Sequence, residues 1–271
     1  MAETPPLVDR TALKLHRARA QVQELFLHSA ALDEVQDRLS MVNKVFTDIA
    51  IVTPFPQIWA EAYPDATTIL DDDTLALNSQ SFDLVIHAMC LHWANDPVGQ
   101  LIQCRRALRP DGLNLTICLG SQTLTELRSV LAEAEIAQRG GLSPRVLPMP
   151  EIRDLGGLLQ RAGFALPVAD SALLTAQYRD MFHLMHDLRA MGETNALAAR
   201  LRTPSSRSLF AQAAALYEEH FGGDGTLPAS FEMISLTGWA PSASQPQPLR
   251  PGSAQARLAD ALNTAETKLS D

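Results

Sequence analysis

The chain has 271 residues, of which 46% are hydrophobic and 20% are charged, so it can bury a sizeable core and is not generally disordered. Lys and Arg number 22 against 31 Asp and Glu, which gives a net charge of −9. A surface of that sign repels a phosphate backbone and argues against nucleic acid as a partner. At roughly 100–200 residues per domain, the length allows one large domain or two small ones.

The cysteines and the first residues bear on the compartment. Cys90, Cys104 and Cys118 are odd in number and too widely spaced for a zinc knuckle or a redox pair, which favours reduced, buried thiols. The start of the chain has no secretory signal pattern, and no stretch approaches the ~18 apolar residues typical of a membrane span. We therefore expect a cytoplasmic protein without a transmembrane segment.

The pattern of the first third of the chain predicts a helical segment followed by three strands. Residues 1–45 carry apolar side chains at helical spacing and form a predicted N-terminal helical segment. A short apolar strand at 47–53 stops at two prolines, and a second strand at 67–70 runs into Asp71–Asp73. The apolar run Phe82–Met89 is typical of a strand buried on both faces of a parallel sheet.

The rest of the chain alternates between helices and strands. Thr123 and Glu126 predict a capping box for the helix that ends at Gly140. Helices are predicted near 97–108, 123–139, 151–162, 178–191 and 205–221, and strands at 113–119, 164–176 and 231–239. This alternation predicts an α/β fold, a doubly wound and mostly parallel sheet spanning residues 46–240. A helical insertion near 178–225 interrupts it, and a proline-rich tail, 241–271, follows.

Ligands of such sheets bind at the carboxyl ends of the strands, beside the point where the strand order reverses. That rule selects Thr53–Phe55, Asp71–Asp73 and Ala88–Trp93 as the rim of the predicted site. All 14 glycines lie at or after Gly99, so glycine-rich phosphate loops are excluded from the first 98 residues.

At these residues the sequence resembles a known family. Phe82–Asp96 and Arg105–Gly112 look like the later half of a class I S-adenosylmethionine-dependent methyltransferase. More narrowly, the chain is similar to bacterial relatives of the methyltransferase-like assembly factor of respiratory complex I. The narrower resemblance is carried by the segments Gln122–Arg128, Gly140–Arg145, Arg153–Phe164, Asp187–Asn195 and Thr237–Trp239, and it covers about residues 8–262.

The resemblance implies a Rossmann-like methyltransferase fold and S-adenosylmethionine as the cofactor. From the strand-end rule we expect the cofactor at Thr53, Phe55, Asp71, Asp72, Ala88 and Met89. Of these positions only the Asp71–Asp73 group matches the family's pattern, as the acid beside the adenine, with Asp72 preferred. The first half is shortened, as if one strand–helix unit were missing, and the loop 52–57 has two prolines where the family has glycines. Because proline fixes φ and lacks an N–H donor, this loop is not expected to cradle the cofactor in the family's way.

Few side chains are candidates for chemistry. His92 is a candidate base, with a hydrogen-bonded structural histidine as the alternative. Arg128 is a candidate substrate contact, while Glu126 is interpreted as structural. His183 and His186 share a predicted helix face, but a metal site would need a third ligand, and no metal is predicted.

The segment Asp187–Asn195 carries more polar residue types in a row than packing alone requires. Three functions stay open from the sequence. The first is an S-adenosylmethionine-dependent methyltransferase acting on a protein substrate, such as a subunit of respiratory complex I. The second is a protein-arginine hydroxylase, an activity described in the narrower family. The third is a non-catalytic scaffold that has lost cofactor binding.

Overall fold

The structure is a computed structural model that describes residues 5–246 and Thr264. The chain forms two units, residues 1–241 and 242–271, and all helices and strands below lie in the first. The helices are α1 (Arg10–Arg17), α2 (Phe26–Ser40), α3 (Pro56–Trp59), α4 (Pro97–Ala107), α5 (Thr125–Arg139), α6 (Ile152–Ala162), α7 (Met181–Ala190) and α8 (Arg207–Phe221). The strands are β1 (Ile49–Val52), β2 (Thr67–Ile69), β3 (Phe82–Ala88), β4 (Leu108–Leu119), β5 (Ala165–Tyr178) and β6 (Leu227–Trp239).

The six strands form one sheet in the order β2-β1-β3-β4-β6-β5. The pairs β1–β2, β1–β3 and β3–β4 are parallel, and β6 runs antiparallel to both β4 and β5. The predicted α/β fold with its mostly parallel, Rossmann-like sheet is confirmed. From β1 the chain crosses first to β2 on one side and then to β3 on the other, so the order reverses between β1 and β3.

Alternation along β3 explains how the sheet builds two layers of core. Leu84 and Ile86 point to the face covered by α2, α5 and α8, whereas Val85 points to the face covered by α4 and α6. All three side chains are fully buried, as the apolar run predicts for a central strand. The sheet edge differs, since β5 has only one neighbour and is largely exposed.

Helix α1 packs against the segment after α7, at the carboxyl end of the parallel strands. The main-chain N–H of Asp9 donates to the carbonyl of Ala196 at 2.8 Å, and that of Gln21 donates to Ala190 at 2.8 Å. We call residues 8–21 and 190–200 the cap. These hydrogen bonds join two segments that lie far apart in the chain into one layer.

Some local predictions are wrong in detail. The helix α5 begins at Thr125 after Leu124, which has a left-handed backbone (φ 55°), and no side chain caps it. The predicted capping box is absent because the Thr123 hydroxyl accepts from Glu232 N and the Glu126 carboxylate accepts from Ser230. Gly140 ends α5 with φ 68°, as predicted. In the part of the chain that the structure describes, we find no helix with the length and apolar content to cross a membrane.

Candidate functional site: a capped acidic edge and a neighbouring apolar cavity

The three aspartates after β2 are paired with cations of α1. Arg17 Nη1 lies 2.6 Å from Asp71 Oδ2, and both side chains are only 8% exposed. Arg10 contacts the same carboxylate at 3.3 Å. Lys14 Nζ lies 2.7 Å from Asp72 Oδ1, and this hydrogen bond holds the pKa of the Asp72 carboxyl below its usual value. The positions 10, 14 and 17 are spaced four and three apart, so all three cations share one face of α1. They cover Asp71–Asp73, which we call the acidic edge.

The other predicted cofactor positions are closely packed against neighbouring side chains. Thr53, Ala88 and Met89 are buried, and the Thr53 hydroxyl accepts a hydrogen bond from Phe55 N at 3.2 Å. The Phe55 ring meets the His28 ring edge-on at 4.9 Å between centroids. Burial lowers the pKa of His28 to about 4, so this ring is neutral near pH 7. The structure thus brings these residues together at the reversal point, in a closely packed arrangement.

A cavity of about 250 Å³ lies beside this edge, at the carboxyl end of β4. Most of its lining side chains are apolar. They come from α2, β4, α5 and the turn before it, α7, α8, β6, the loop 145–149 and Trp93, and they include Leu27, Leu124, Leu127, Met149, Met185 and Phe231. Such a cavity suits the aliphatic part of a bound side chain, because water leaves apolar walls at a gain in free energy.

Residues 189–195 give the cavity a polar end, where the buried carboxylate of Glu193 lies near Arg189 and Asn195. Glu193 Oε2 accepts a hydrogen bond from Trp93 Nε1 at 2.6 Å and lies 3.5 Å from His92 Nε2. Burial alone raises the pKa of Glu193, but His92, Arg17 and Trp93 outweigh it and lower this pKa to about 2. The carboxylate is therefore ionised near pH 7. Among the described residues, no hydrogen bond is donated to its Oε1.

The loop that closes the opposite wall is fixed by a second carboxylate. Arg145 Nη2 lies 2.7 Å from Glu135 Oε1, and its Nε donates to Oε2 at 3.1 Å. Hydrogen bonds from Arg145 and Ser143 lower the pKa of Glu135 to about 2, against the effect of burial. Arg145 lines the cavity, but its charge is compensated by this bidentate pair.

The two candidate chemical residues occupy supporting positions. His92 lies in the 3-10 turn Leu91–Trp93, and its Nδ1 accepts a hydrogen bond from Leu119 N at 3.4 Å. Its ring contacts Glu193 rather than forming the cavity wall. Arg128 donates to the carbonyls of Ser121 and Thr123 at 3.3 and 3.1 Å, which braces the turn before α5. Catalytic roles for both stay predictions.

His183 and His186 lie on α7 with exposed side chains. The Nδ1 of His186 lies 2.7 Å from the carbonyl oxygen of Phe182. Across residues 5–246, no group of three or more His, Cys, Asp or Glu side chains is placed to hold a metal ion.

Comparison with known proteins identifies the fold. A family model described as a methyltransferase domain matches residues 39–116. The "Arginine-hydroxylase NDUFAF5, mitochondrial" of Danio rerio is 37% identical over 252 residues, which are 93% of this chain and 72% of that protein. The chain belongs to the NDUFAF5 family of methyltransferase-fold proteins.

Two further comparisons widen the context of this NDUFAF5-family protein. The malonyl-[acyl-carrier protein] O-methyltransferase of Xylella fastidiosa (strain M23) is 39% identical over 172 residues, 64% of this chain and 56% of that protein. The phosphoethanolamine N-methyltransferase 2 of Haemonchus contortus, in complex with phosphomonomethylethanolamine and S-adenosylhomocysteine, aligns with a TM-score of 0.42 at 13% identity, over 78% of this chain and 53% of that one. The chain spans 45% of the length of the Dictyostelium discoideum NDUFAF5 and 55% of the human one.

The family assignment supports S-adenosylmethionine as the cofactor, and the acidic edge stays the predicted place for it. In the arrangement described here, the residues of that edge do not fit it. The carboxylates that would accept its hydrogen bonds are paired with Arg10, Lys14 and Arg17, and the loop 53–57 offers no glycine for a close backbone approach.

The sequence pointed to part of the cavity without identifying it. The segments Gln122–Arg128, Gly140–Arg145 and Asp187–Asn195, which carry the narrower resemblance, all contribute residues to its wall. Glu193 lies in the polar segment Asp187–Asn195, and this unusual run of polar residues was the sequence signal that could have pointed to it. Its selection needed the fold, because its partners Trp93 and His92 lie 100 residues earlier.

Proposed function

We propose that this NDUFAF5-family protein binds an arginine-bearing segment of a protein partner during the assembly of respiratory complex I. The observation that carries the proposal is the cavity with an ionised Glu193 at its polar end. A guanidinium on an aliphatic stem matches both features, since the stem contacts apolar walls and the head donates to a carboxylate. The name of the Danio rerio relative, an arginine hydroxylase, supports the same class of substrate.

The residues around Glu193 determine what the site does to a bound arginine. Trp93 holds Oε2 of the carboxylate, which leaves Oε1 facing a cationic head group. The apolar walls exclude water, so the ion pair formed inside is stronger than it would be at the surface. These residues bind and orient a guanidinium. S-adenosylmethionine would supply the methyl group of a methyltransferase, but its edge is occupied by α1, so arginine binding is the function that the geometry favours over methyl transfer.

The cellular setting is part of the proposal. All three cysteines are free and buried, as in a reducing compartment, which supports a cytoplasmic location. A complex I subunit that has not yet joined its partners is the partner that we propose, by analogy with the family.

The proposal is tested by complementation. In a strain that lacks the gene, we expect the amount of assembled complex I to fall, measured by native gel electrophoresis and NADH oxidation. The wild-type gene is expected to restore it, whereas Glu193→Gln, which keeps the size but removes the charge, is not. The matched control is Glu133→Gln, on the exposed side of α5.

Normal complex I in the deletion strain would overturn the assembly role. Full rescue by a folded Glu193→Gln protein would overturn the role of the cavity. The circular dichroism and the yield of the purified variant separate a binding defect from a folding defect.

A further inference from the structure

A second pocket, of about 270 Å³, lies at the end of the sheet opposite the cavity. It is formed by the turn before β3, with Ser79 and Gln80, by Arg105 and Arg106 at the end of α4, and by the start of β4 together with residues 240–241. These residues lie at the amino ends of the parallel strands, whereas the cavity lies at the carboxyl end of β4. The pocket is therefore separate from the site described above.

Arg105 lacks a hydrogen-bond acceptor where one is expected. Seven of the described arginines are half-buried, and all of them except Arg105 donate side-chain hydrogen bonds, namely Arg10, Arg17, Arg38, Arg128, Arg145 and Arg200. The Arg105 Nε is covered from solvent without an acceptor among the described residues, while its two Nη atoms stay accessible from the pocket. A half-buried charge without a partner costs free energy, and a bound anion offsets that cost.

The end of α4 does not engage these arginines. Basic side chains in the last turn of a helix commonly pair with its terminal carbonyls. Here the carbonyl of Arg106 accepts from Gln80 N at 2.9 Å and from the Ser79 hydroxyl at 3.1 Å. The carbonyl of Ala107 accepts from Ser81 N at 2.8 Å. Because residues 79–81 already satisfy the helix end, both guanidinium groups are left for another acceptor.

The pocket is positively charged although the protein as a whole carries a net charge of −9. Two arginines and no acidic residue line it, which gives a formal charge of +2. The carboxylates at this end of the sheet are engaged elsewhere. Asp48 pairs with Arg109 at 2.7 Å, and Asp111 pairs with Lys44 at 3.1 Å. Asp83 accepts hydrogen bonds from the main chain of residues 47 and 48.

We propose that this pocket binds the phosphate group of a small phosphomonoester. A phosphate dianion balances the two arginine charges, and its three terminal oxygens accept several N–H groups at once, as two guanidinium forks supply them. The volume is about nine times the ~30 Å³ that one water occupies in the liquid, so the ester's organic part also has room. Leu108 and Pro110 offer that part apolar contacts.

Isothermal titration calorimetry on the full-length protein tests this, in a buffer free of phosphate. Phenyl phosphate, inorganic phosphate and acetate serve as probes. We expect phenyl phosphate to bind with one site per chain, and its affinity to fall about tenfold or more in Arg105→Gln/Arg106→Gln. The matched control is Arg153→Gln/Arg207→Gln, which removes two exposed arginines from α6 and α8 and is expected to keep the affinity.

Three results would overturn the proposal. They are the absence of binding heat with both phosphate probes, an unchanged affinity in Arg105→Gln/Arg106→Gln, and an affinity for acetate equal to that for phenyl phosphate. Tighter binding of inorganic phosphate than of phenyl phosphate would overturn the ester and identify free phosphate as the ligand. Arg106→Gln alone, at an exposed side chain, is expected to weaken binding without affecting folding, which circular dichroism checks. Because the protein is acidic overall, nonspecific attraction does not favour these anions.

Discussion

Two carboxylates, those of Glu135 and Glu193, are ionised although their side chains are largely buried from solvent. Each accepts from a specific donor, Arg145 for the first and Trp93 for the second, which also has His92 Nε2 at 3.5 Å. They differ in whether a carboxylate oxygen is left without a hydrogen bond. Glu135 is saturated by Arg145 and Ser143, so it fixes a loop, whereas Glu193 keeps one oxygen without a hydrogen bond from the described residues. The carboxylate that we propose to bind a partner thus differs from the structural one in its donors rather than in its burial.

The structural role of Glu135 gives a prediction with an internal control. Arg145 and Arg139 both approach this carboxylate, at 2.7 and 3.8 Å, but Arg145 is largely buried and Arg139 is 39% exposed. Arg145→Ala leaves a buried charge without its partner and is expected to lower the free energy of unfolding by about 3 kcal/mol. Arg139→Ala is expected to lower it by less than about 1 kcal/mol. Urea denaturation measures both, and similar losses would contradict the assignment.

Residue-level prediction from the sequence reached the acidic edge but not its partners. The strand pattern and the reversal rule located Asp71 and Asp72 at a strand end correctly, since both are local signals. Helical spacing also puts positions 10, 14 and 17 on one face. Nothing in the sequence shows that this face meets the aspartates, because the contact joins residues more than 50 positions apart.

At the scale of elements, α1 covers the acidic edge. Its cations pair with Asp71 and Asp72, and the main chain on either side of it, at Asp9 and Gln21, donates hydrogen bonds to residues 190–200. Two atoms of Arg17, Nε and Nη2, are buried without a hydrogen-bond partner in the described structure. The packing of α1 on the acidic edge therefore leaves two buried donors unsatisfied, which reduces the stability of this contact.

We predict that weakening α1 increases affinity for the cofactor class. In Lys14→Ala/Arg17→Gln the acidic edge loses two competing cations, so S-adenosylhomocysteine is expected to bind at least fivefold tighter than to the wild type. Isothermal titration calorimetry measures this, and Lys14→Ala alone, at a half-exposed pair, is expected to change the affinity in the same direction by less. The control Lys44→Ala/Arg109→Ala breaks two ion pairs elsewhere. Unchanged or weaker binding in the double variant would contradict competition by α1.

Helices and strands could be predicted where a single local sequence pattern determines them. The buried run of β3 and the glycine that ends α5 follow from local chemistry, and the structure has both. The start of α5 did not follow, because Thr123 and Glu126 form hydrogen bonds with β6, which is about 100 residues away. Tertiary partners replaced the local cap that the spacing favoured.

At the scale of the whole molecule, the sheet carries a closely packed acidic edge next to an open cavity. Only β1 and β2 lie beyond β3 on the side of the acidic edge, and the loop after β1 is closed by Phe55 and His28. The neighbouring cavity at the end of β4 stays open. The fold class could be inferred from the sequence, whereas the cavity could not, since its walls come from at least seven separate parts of the chain.

Photo-crosslinking locates a bound partner side chain most directly. A peptide with a benzophenone group beside its arginine is irradiated with the protein, and the adduct is mapped by mass spectrometry. We expect adducts at Met149 or Met185 in the cavity wall, and their loss with citrulline in place of arginine or in Glu193→Gln. Adducts confined to the acidic edge around Asp71, or an adduct pattern that ignores the charge of the peptide and of Glu193, would contradict the account.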